Sequence, residues 1–297
     1  MGALDGRVAI ITGAGRGLGR EHALLFAQQG AKVVVNDLGG DINGTGADRA
    51  PAQQVVDEIK AAGGDAVANV DNVADFEGAK RLIDTAIDTY GDLHVLVNNA
   101  GILRDRVLVN MSEQEWDAVI QVHLKGHFAP THHAAVYWRE QTKAGSDVKA
   151  SLVHTSSTSG LIGNPGQANY GAAKAGIAAF SKICAMELGR YGVRSNAIAP
   201  AARTRLTLQT PGLGDAVKEP EDASAFDVWD PANVSPVVAY LATESCTITG
   251  ECFLAQGGLV QYFQPWTLTA KLEKQERWTV DELADQMPKL MEQAKAK

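Results

Sequence analysis

Seven short runs of apolar, β-branched residues recur along this chain: Val8–Thr12, Lys32–Asn36, Asp65–Val70, Leu93–Asn98, Ser151–Ser156, Val193–Ala199 and Glu251–Ala255. Longer segments of helical pattern lie between them, at Gly17–Gln29, Pro51–Ala62, Asp75–Tyr90, Ser112–Arg139, Ala168–Arg190 and Asn233–Thr243. A strand that is apolar throughout must be buried on both faces. Strict β/α alternation then demands parallel strands joined by right-handed crossovers. The pattern predicts an α/β chain with one doubly wound parallel sheet flanked by helices, running from about residue 5 to 258. A length of 297 residues would by itself allow two domains, but no linker divides the alternation. The expected organisation is a domain over 1–258 and a C-terminal helical extension over 259–297, packed on that same domain. In the extension, Thr279-Val280-Asp281-Glu282 reads as a helix start, Thr279 capping and Glu282 reaching back.

Composition removes several classes of function. Acidic residues outnumber basic ones, 35 to 27, and no basic run is present, so nucleic acid is not an expected partner. Three cysteines without a CxxC spacing indicate neither a disulfide framework nor a zinc ribbon. No window of 18 apolar residues exists to span a membrane, and the N-terminus lacks the charged and apolar regions of a signal peptide. The expected location is the cytoplasm. His123 and His127 stand four apart, but no HExxH pattern accompanies them, and no metal site is expected.

The first βα turn reads Thr12-Gly13-Ala14-Gly15-Arg16-Gly17-Leu18-Gly19. Glycines here permit a tight turn, close approach of the backbone to a pyrophosphate, and packing of helix on sheet. The following helix N-terminus offers free N–H groups to the phosphates. Asp37 closes the second strand, where a carboxylate accepts hydrogen bonds from ribose hydroxyls and repels a 2′-phosphate. Its neighbours Asn36 and Leu38 carry no positive charge. NAD is therefore the expected cofactor and NADP the less favoured one, although Arg16 in the loop pulls towards a 2′-phosphate.

Tyr170 and Lys174 lie four apart and share a helix face. A lysine ammonium beside a phenol, together with a positive nicotinamide ring, favours the phenolate. Tyr170 is then able to take a proton from a substrate hydroxyl.

The TGxxxGxG loop, Asn98-Asn99-Ala100-Gly101 after the fourth strand, and Tyr170-Gly-Ala-Ala-Lys174 together resemble the short-chain dehydrogenase/reductase family over residues 5–258. The resemblance implies a single Rossmann-type domain that moves hydride between NAD(P) and an alcohol/ketone pair. Val34–Asp41, Gly101–Arg106 and Gly163–Tyr170 resemble one branch of that family, the (3R)-hydroxyacyl-CoA dehydrogenase unit of peroxisomal multifunctional enzymes. By resemblance, Ser157, thirteen residues before Tyr170, holds the substrate oxygen; Ser156, Thr158 and Ser159 are separated from it by that spacing alone. His123 stands where the family usually has an asparagine that helps hold a proton-relay water. It is either part of that relay or packed at a kink of its helix. Asn99, Ala100 and Gly101 are implied on the adenosine side of the cofactor, with Asp71 and Val73 near the adenine. Pro200, Ala202 and Thr204 are implied beside the nicotinamide carboxamide. Asp71 also reads as an ordinary strand-end acid.

The segment Leu206–Pro231, rich in turn formers and acids, reads as a lid over the site or as a plain long loop. Arg203, Arg205 and Lys218 near its ends are candidates to meet CoA phosphates. The leading expectation is NAD-dependent oxidation of a secondary alcohol, a (3R)-hydroxyacyl-CoA or a steroid-derived substrate. An NADPH-dependent 3-oxoacyl-thioester reductase and a non-catalytic dinucleotide-binding scaffold are the alternatives. The family resemblance also implies a homodimer or homotetramer.

Overall fold

The apolar runs form strands because each supplies side chains to two separate cores. In β1 (Val8–Thr12), Ala9 and Ile11 enter one cluster, with Val33, Val35, Val95 and Val97. Val8 and Ile10 enter the other, with Val34, Leu96 and Leu152. Alternate residues of a strand point to opposite faces, so a run apolar at every position is what a doubly covered sheet requires. The structure, a computed structural model, describes residues 2–41, 43, 45–46, 48–209, 214, 217–222, 224–264 and 266–295, without the side chains of 206 and 209.

After β1 come α1 (Gly17–Gln28), β2 (Lys32–Asn36), α2 (Ala50–Ala61), β3 (Asp65–Asn69), α3 (Phe76–Tyr90) and β4 (Val95–Asn98). The second half runs α4 (Glu113–Ile120), α5 (Gly126–Lys143), β5 (Ala150–Thr155), α6 (Thr158–Leu161), α7 (Ala168–Leu188), β6 (Val193–Pro200), α8 (Arg205–Gln209), α9 (Ser235–Ala242), β7 (Cys252–Gln256) and β8 (Leu259–Tyr262). The strand order is β3-β2-β1-β4-β5-β6-β7-β8. The first seven are parallel and β8 is antiparallel to β7. One core holds Phe26, Val55, Ile59, Val238 and Leu241; the other holds Leu82, Ile83, Trp138 and Cys184. Strand order reverses between β1 and β4, and in open α/β sheets ligands bind at that switch, beyond the carboxyl ends of the strands.

Two features depart from the expected elements. The helical pattern Ser112–Arg139 is two helices joined by a π-helical turn at Gln121–Lys125. Ser112 and Glu115 form a capping box at its start. The first compact unit ends at Tyr262 rather than Gly258, because β8 hydrogen-bonds to β7 and extends the sheet. The second unit, Phe263–Lys297, contains α10 (Val280–Lys295). Thr279 Oγ1 accepts from Glu282 N at 3.2 Å and Thr279 N donates to the Glu282 carboxylate at 2.7 Å, the expected reciprocal cap. Among the described residues, no helix is long and apolar enough to cross a membrane.

Candidate active site

A cavity of about 690 Å³ opens at the carboxyl ends of β1, β2, β4, β5 and β6. Gly13, Arg16, Gly17 and Leu18 line one part of it. Gly15 and Gly19 lie behind that loop. Gly15 N donates to Asp37 Oδ2 at 2.8 Å. A Cβ on Gly19 would fall 2.2 Å from Gly13 O, so only glycine lets α1 start this close to β1. The N-cap of α1, Arg16, makes no side-chain cap hydrogen bond, and the first turn holds no acid. Its free N–H groups thus remain directed at the cavity.

Asp37 lines the same part. Its carboxylate accepts from Gly15 N at 2.8 Å and from Gly39 N at 2.7 Å, which fixes its orientation and leaves lone pairs free. Thr12 Oγ1 accepts from Asn99 N at 2.9 Å and Ala100 N at 3.1 Å, tying the loop after β4 to the glycine turn. Asn99, Ala100, Gly101, Asp71 and Val73 all face the cavity. Asp71 is also bound to Asn69 and to Arg81, at 2.9 Å and 2.7 Å, so it serves the strand end as well. An uncapped helix N-terminus beside a fixed carboxylate fits the phosphates and ribose of a dinucleotide.

Across the cavity, Ser157 caps α6 two residues beyond β5, and α7 presents Tyr170 and Lys174. The Ser157 hydroxyl accepts from Ser159 N at 3.2 Å and lines the cavity together with Tyr170. Ser156 Oγ instead donates to Lys174 O at 2.8 Å, and Ser159 Oγ donates to Gln167 Oε1 at 2.7 Å. Ser156, Thr158 and Ser159 line the same cavity, with the Ser156 and Ser159 hydroxyls donating their protons elsewhere in the chain. Lys174 Nζ donates to Thr155 O at 2.6 Å and lies 5.4 Å from the Tyr170 ring centre. Burial pushes Lys174 down to about 7 and pushes the Tyr170 phenol up to about 12. In the chain alone desolvation dominates at Tyr170, which stands as a neutral phenol.

His123 sits on the π-helical turn, fully buried, its ring edge-on to Tyr170 at 5.1 Å. Its Nε2 lies 3.1 Å from Ile102 N and 2.8 Å from Ile102 O. A Cβ on Gly101 would fall 2.3 Å from its Cε1. Burial, with Lys174 nearby, pushes His123 down to about 3, so the imidazole is neutral. It braces the Gly101–Ile102 backbone against the base of Tyr170.

Pro200, Ala202 and Thr204 line the cavity after β6. The Thr204 hydroxyl also accepts from Thr207 N at 3.2 Å, as a cap for α8. Of the Leu206–Pro231 segment, residues 210–213, 215–216 and 223 lie outside the described residues. Its base is anchored: Arg203 N donates to Trp229 O at 2.6 Å, and the Arg203 guanidinium pairs with Asp227. Arg203 is thus committed within the fold, whereas Arg205 and Trp229 face the cavity. Leu103, Ile162 and Gln167, to which the sequence assigned no role, also line it, as does Trp229 of the segment read as a lid. Leu103 and Gln167 fall inside segments already singled out by resemblance, and that was the available signal.

Residues 7–210 match the short chain dehydrogenase family. This chain belongs to that family. It is an oxidoreductase of Rossmann-like fold that binds a nicotinamide dinucleotide. It is 45% identical over 269 residues to a hydroxyacyl-CoA dehydrogenase of Mycobacterium tuberculosis, covering 88% of this chain and 81% of the relative. It is 48% identical over 254 residues to peroxisomal multifunctional enzyme type 2 of Drosophila melanogaster, covering 86% of this chain but only 39% of that longer protein. A short chain dehydrogenase from Mycobacterium avium has a similar structure, with a TM-score of 0.87 at 50% identity over 98% of this chain and 97% of the other.

Proposed function

We propose that this short-chain dehydrogenase oxidises the secondary hydroxyl of a (3R)-hydroxyacyl-CoA or a related steroid-derived substrate, with NAD⁺ as hydride acceptor. The observation that carries the reading is that Asp37 and the Ser157–Tyr170–Lys174 set open into one cavity. Asp37 supports NAD because a second negative charge, the 2′-phosphate, would meet a carboxylate already fixed in place. Gly13, Gly17 and the α1 N-terminus would hold the pyrophosphate, and Pro200, Ala202 and Thr204 the carboxamide side. When bound, the cofactor takes hydride from the carbinol carbon. For oxidation Tyr170 must first give up its own proton, which positive charge beside the ring favours; Ser157 would then position the substrate oxygen, and the hydroxyl proton would pass to the Tyr170 phenolate. Lys174 holds the β5 end through Thr155 O and supplies positive charge beside the ring when protonated. Names of relatives, including a hydroxyacyl-CoA dehydrogenase, support the substrate class.

A cytoplasmic setting is part of the same reading, supported by three free cysteines. So is self-association: α5 and α7 expose Phe128, Val136, Ile183 and Met186. The test is a substrate panel with NAD⁺ and NADP⁺, comparing (3R)-hydroxyacyl-CoAs with free hydroxysteroids. Turnover of hydroxyacyl-CoAs with NAD⁺ is the expected result. Turnover confined to 3-oxoacyl thioesters with NADPH would overturn it in favour of a reductase, and no turnover at all would point to a scaffold.

A further inference from the structure

Ser157 and Ile162 stand at the two ends of one short helix. Ser157 is the N-cap of α6 and Ile162 its C-cap, and both line the cavity. The main chain of Ile162 is fixed, its N–H donating to Thr158 O at 2.8 Å. Its side chain is left uncovered: Ile162 is 75% exposed. Leu103, half-buried on the loop after β4, lines the cavity as well. Hydrogen bonds tie the two loops into one wall. Arg106 N donates to Gly166 O at 2.8 Å, Gln167 Nε2 donates to Asp105 Oδ2 at 2.7 Å, and Gln167 Oε1 accepts from Ser159 Oγ and Asn164 Nδ2. These polar groups hold one another, while Leu103 and Ile162 keep aliphatic surface open to the cavity.

Charge is distributed the other way. The charged residues that line the cavity are Arg16, Asp37, Asp41, Asp71, Lys174 and Arg205. They come from the glycine turn, the segments after β2 and β3, α7 and α8. Among the described residues, none comes from the loop after β4 or from the connection between α6 and α7. An uncharged wall with open aliphatic surface suits a methylene chain, each carbon of which gains by leaving water. It offers no cation to the phosphates of CoA.

We propose that Leu103 and Ile162 form the wall that receives the acyl chain of the substrate, and that Ile162 sets a preference for long chains over short ones. The inference rests on the hydroxyacyl-CoA reading, with Ser157 holding the substrate oxygen. The helix between Ser157 and Ile162 then acts as a ruler. Five steps of helix advance about 7.5 Å. An extended chain with C–C bonds of about 1.5 Å advances about 1.3 Å per carbon. The chain therefore reaches Ile162 about six carbons beyond the carbinol carbon. A hydroxybutanoyl group stops well short of that point, and a hydroxydodecanoyl group passes over it.

Binding is measured by calorimetry in saturating NADH, a complex that cannot accept hydride. The dissociation constants of (3R)-hydroxybutanoyl-CoA and (3R)-hydroxydodecanoyl-CoA are compared in native protein, Ile162→Ser and Ile162→Leu. Native protein is expected to bind the long chain at least about tenfold more tightly than the short one. Ile162→Ser is expected to cut that ratio by about fivefold or more, and Ile162→Leu to keep it within about twofold. The exposed position of Ile162 leaves the packed core untouched by either change. Equal affinity of native protein for the two chains, or no binding of either, overturns the proposal. So does a native ratio in Ile162→Ser, or an equal loss in Ile162→Leu, which would assign the effect to loop shape instead of apolar surface. Turnover with NAD⁺ is scored separately: chain-length-dependent binding through Ile162 without oxidation would sink the catalytic reading alone.

Discussion

Tyr170, partly buried, and His123, fully buried, are both neutral, yet they carry different expectations. Tyr170 holds its proton up to about 12 in the chain alone, so the oxidative direction needs added positive charge beside it to release that proton, and the reductive direction has its donor ready. Tyr170→Phe keeps the ring packed against His123 and removes the exchangeable proton. Its kcat is expected to fall by about 10²–10⁴-fold with NADH binding retained, measured by steady-state kinetics and cofactor fluorescence; a loss below about tenfold would remove Tyr170 from the chemistry. His123, pushed down to about 3, does not change charge across the working range. The kcat profiles of native protein and His123→Asn, from about pH 5.5 to about pH 10, are expected to overlap in shape. Disappearance of an acidic limb in the variant alone would place the imidazole in the proton path. For Asp37, removal of the carboxylate in Asp37→Ala is expected to narrow the preference for NAD⁺ over NADP⁺ by roughly tenfold, a change of about 1.4 kcal/mol in relative binding. Faster turnover and tighter binding of NADP⁺ by the native protein would contradict this.

The β1–α1 turn shows how an element constrains a single side chain. Gly19→Ala places a methyl against Gly13 O, which forces the helix away from the strand. Overpacking of this kind costs about 1–3 kcal/mol, and displacement of the helix N-terminus weakens its hold on a pyrophosphate. A lowered melting temperature together with more than tenfold weaker NADH binding, roughly 1.4 kcal/mol, is the expected outcome; native binding in a destabilised variant would separate the two. This turn was legible in the sequence because glycine spacing reports backbone approach directly. So were β1 to β7, because a doubly buried strand is apolar at every position. Strand β8 was not: Leu259–Tyr262 is exposed at every residue and carries no burial signature. The π-helical turn was also hidden, since one residue of extra winding leaves the hydrophobic pattern of α4 and α5 nearly continuous. Within the site, Ser157, Tyr170 and Lys174 follow local spacing, whereas Asp105 and Gln167 meet across 62 residues, a pairing that only the assembled sheet creates.

At the scale of the molecule, apolar residues at Phe128 and Val136 on α5, and Ile183 and Met186 on α7, remain exposed. Each pair repeats at helical spacing, so each forms a stripe. Light scattering is expected to report a dimer or tetramer, and the double change Ile183→Glu, Met186→Glu to release monomers. A native monomer at micromolar concentration would refute it. The order of strands has another consequence, in time rather than space. All four strands of the β3-β2-β1-β4 half are complete by Asn98. As the chain is synthesised, the glycine turn, Asp37 and the Asn99–Gly101 loop therefore emerge before the proton-transfer residues exist. Domains generally fold as units, so this half emerges first but waits for β5, α7 and β6 to complete the sheet. A chain interrupted midway therefore carries the nucleotide-facing loops of β1, β2 and β4 without Tyr170 and Lys174.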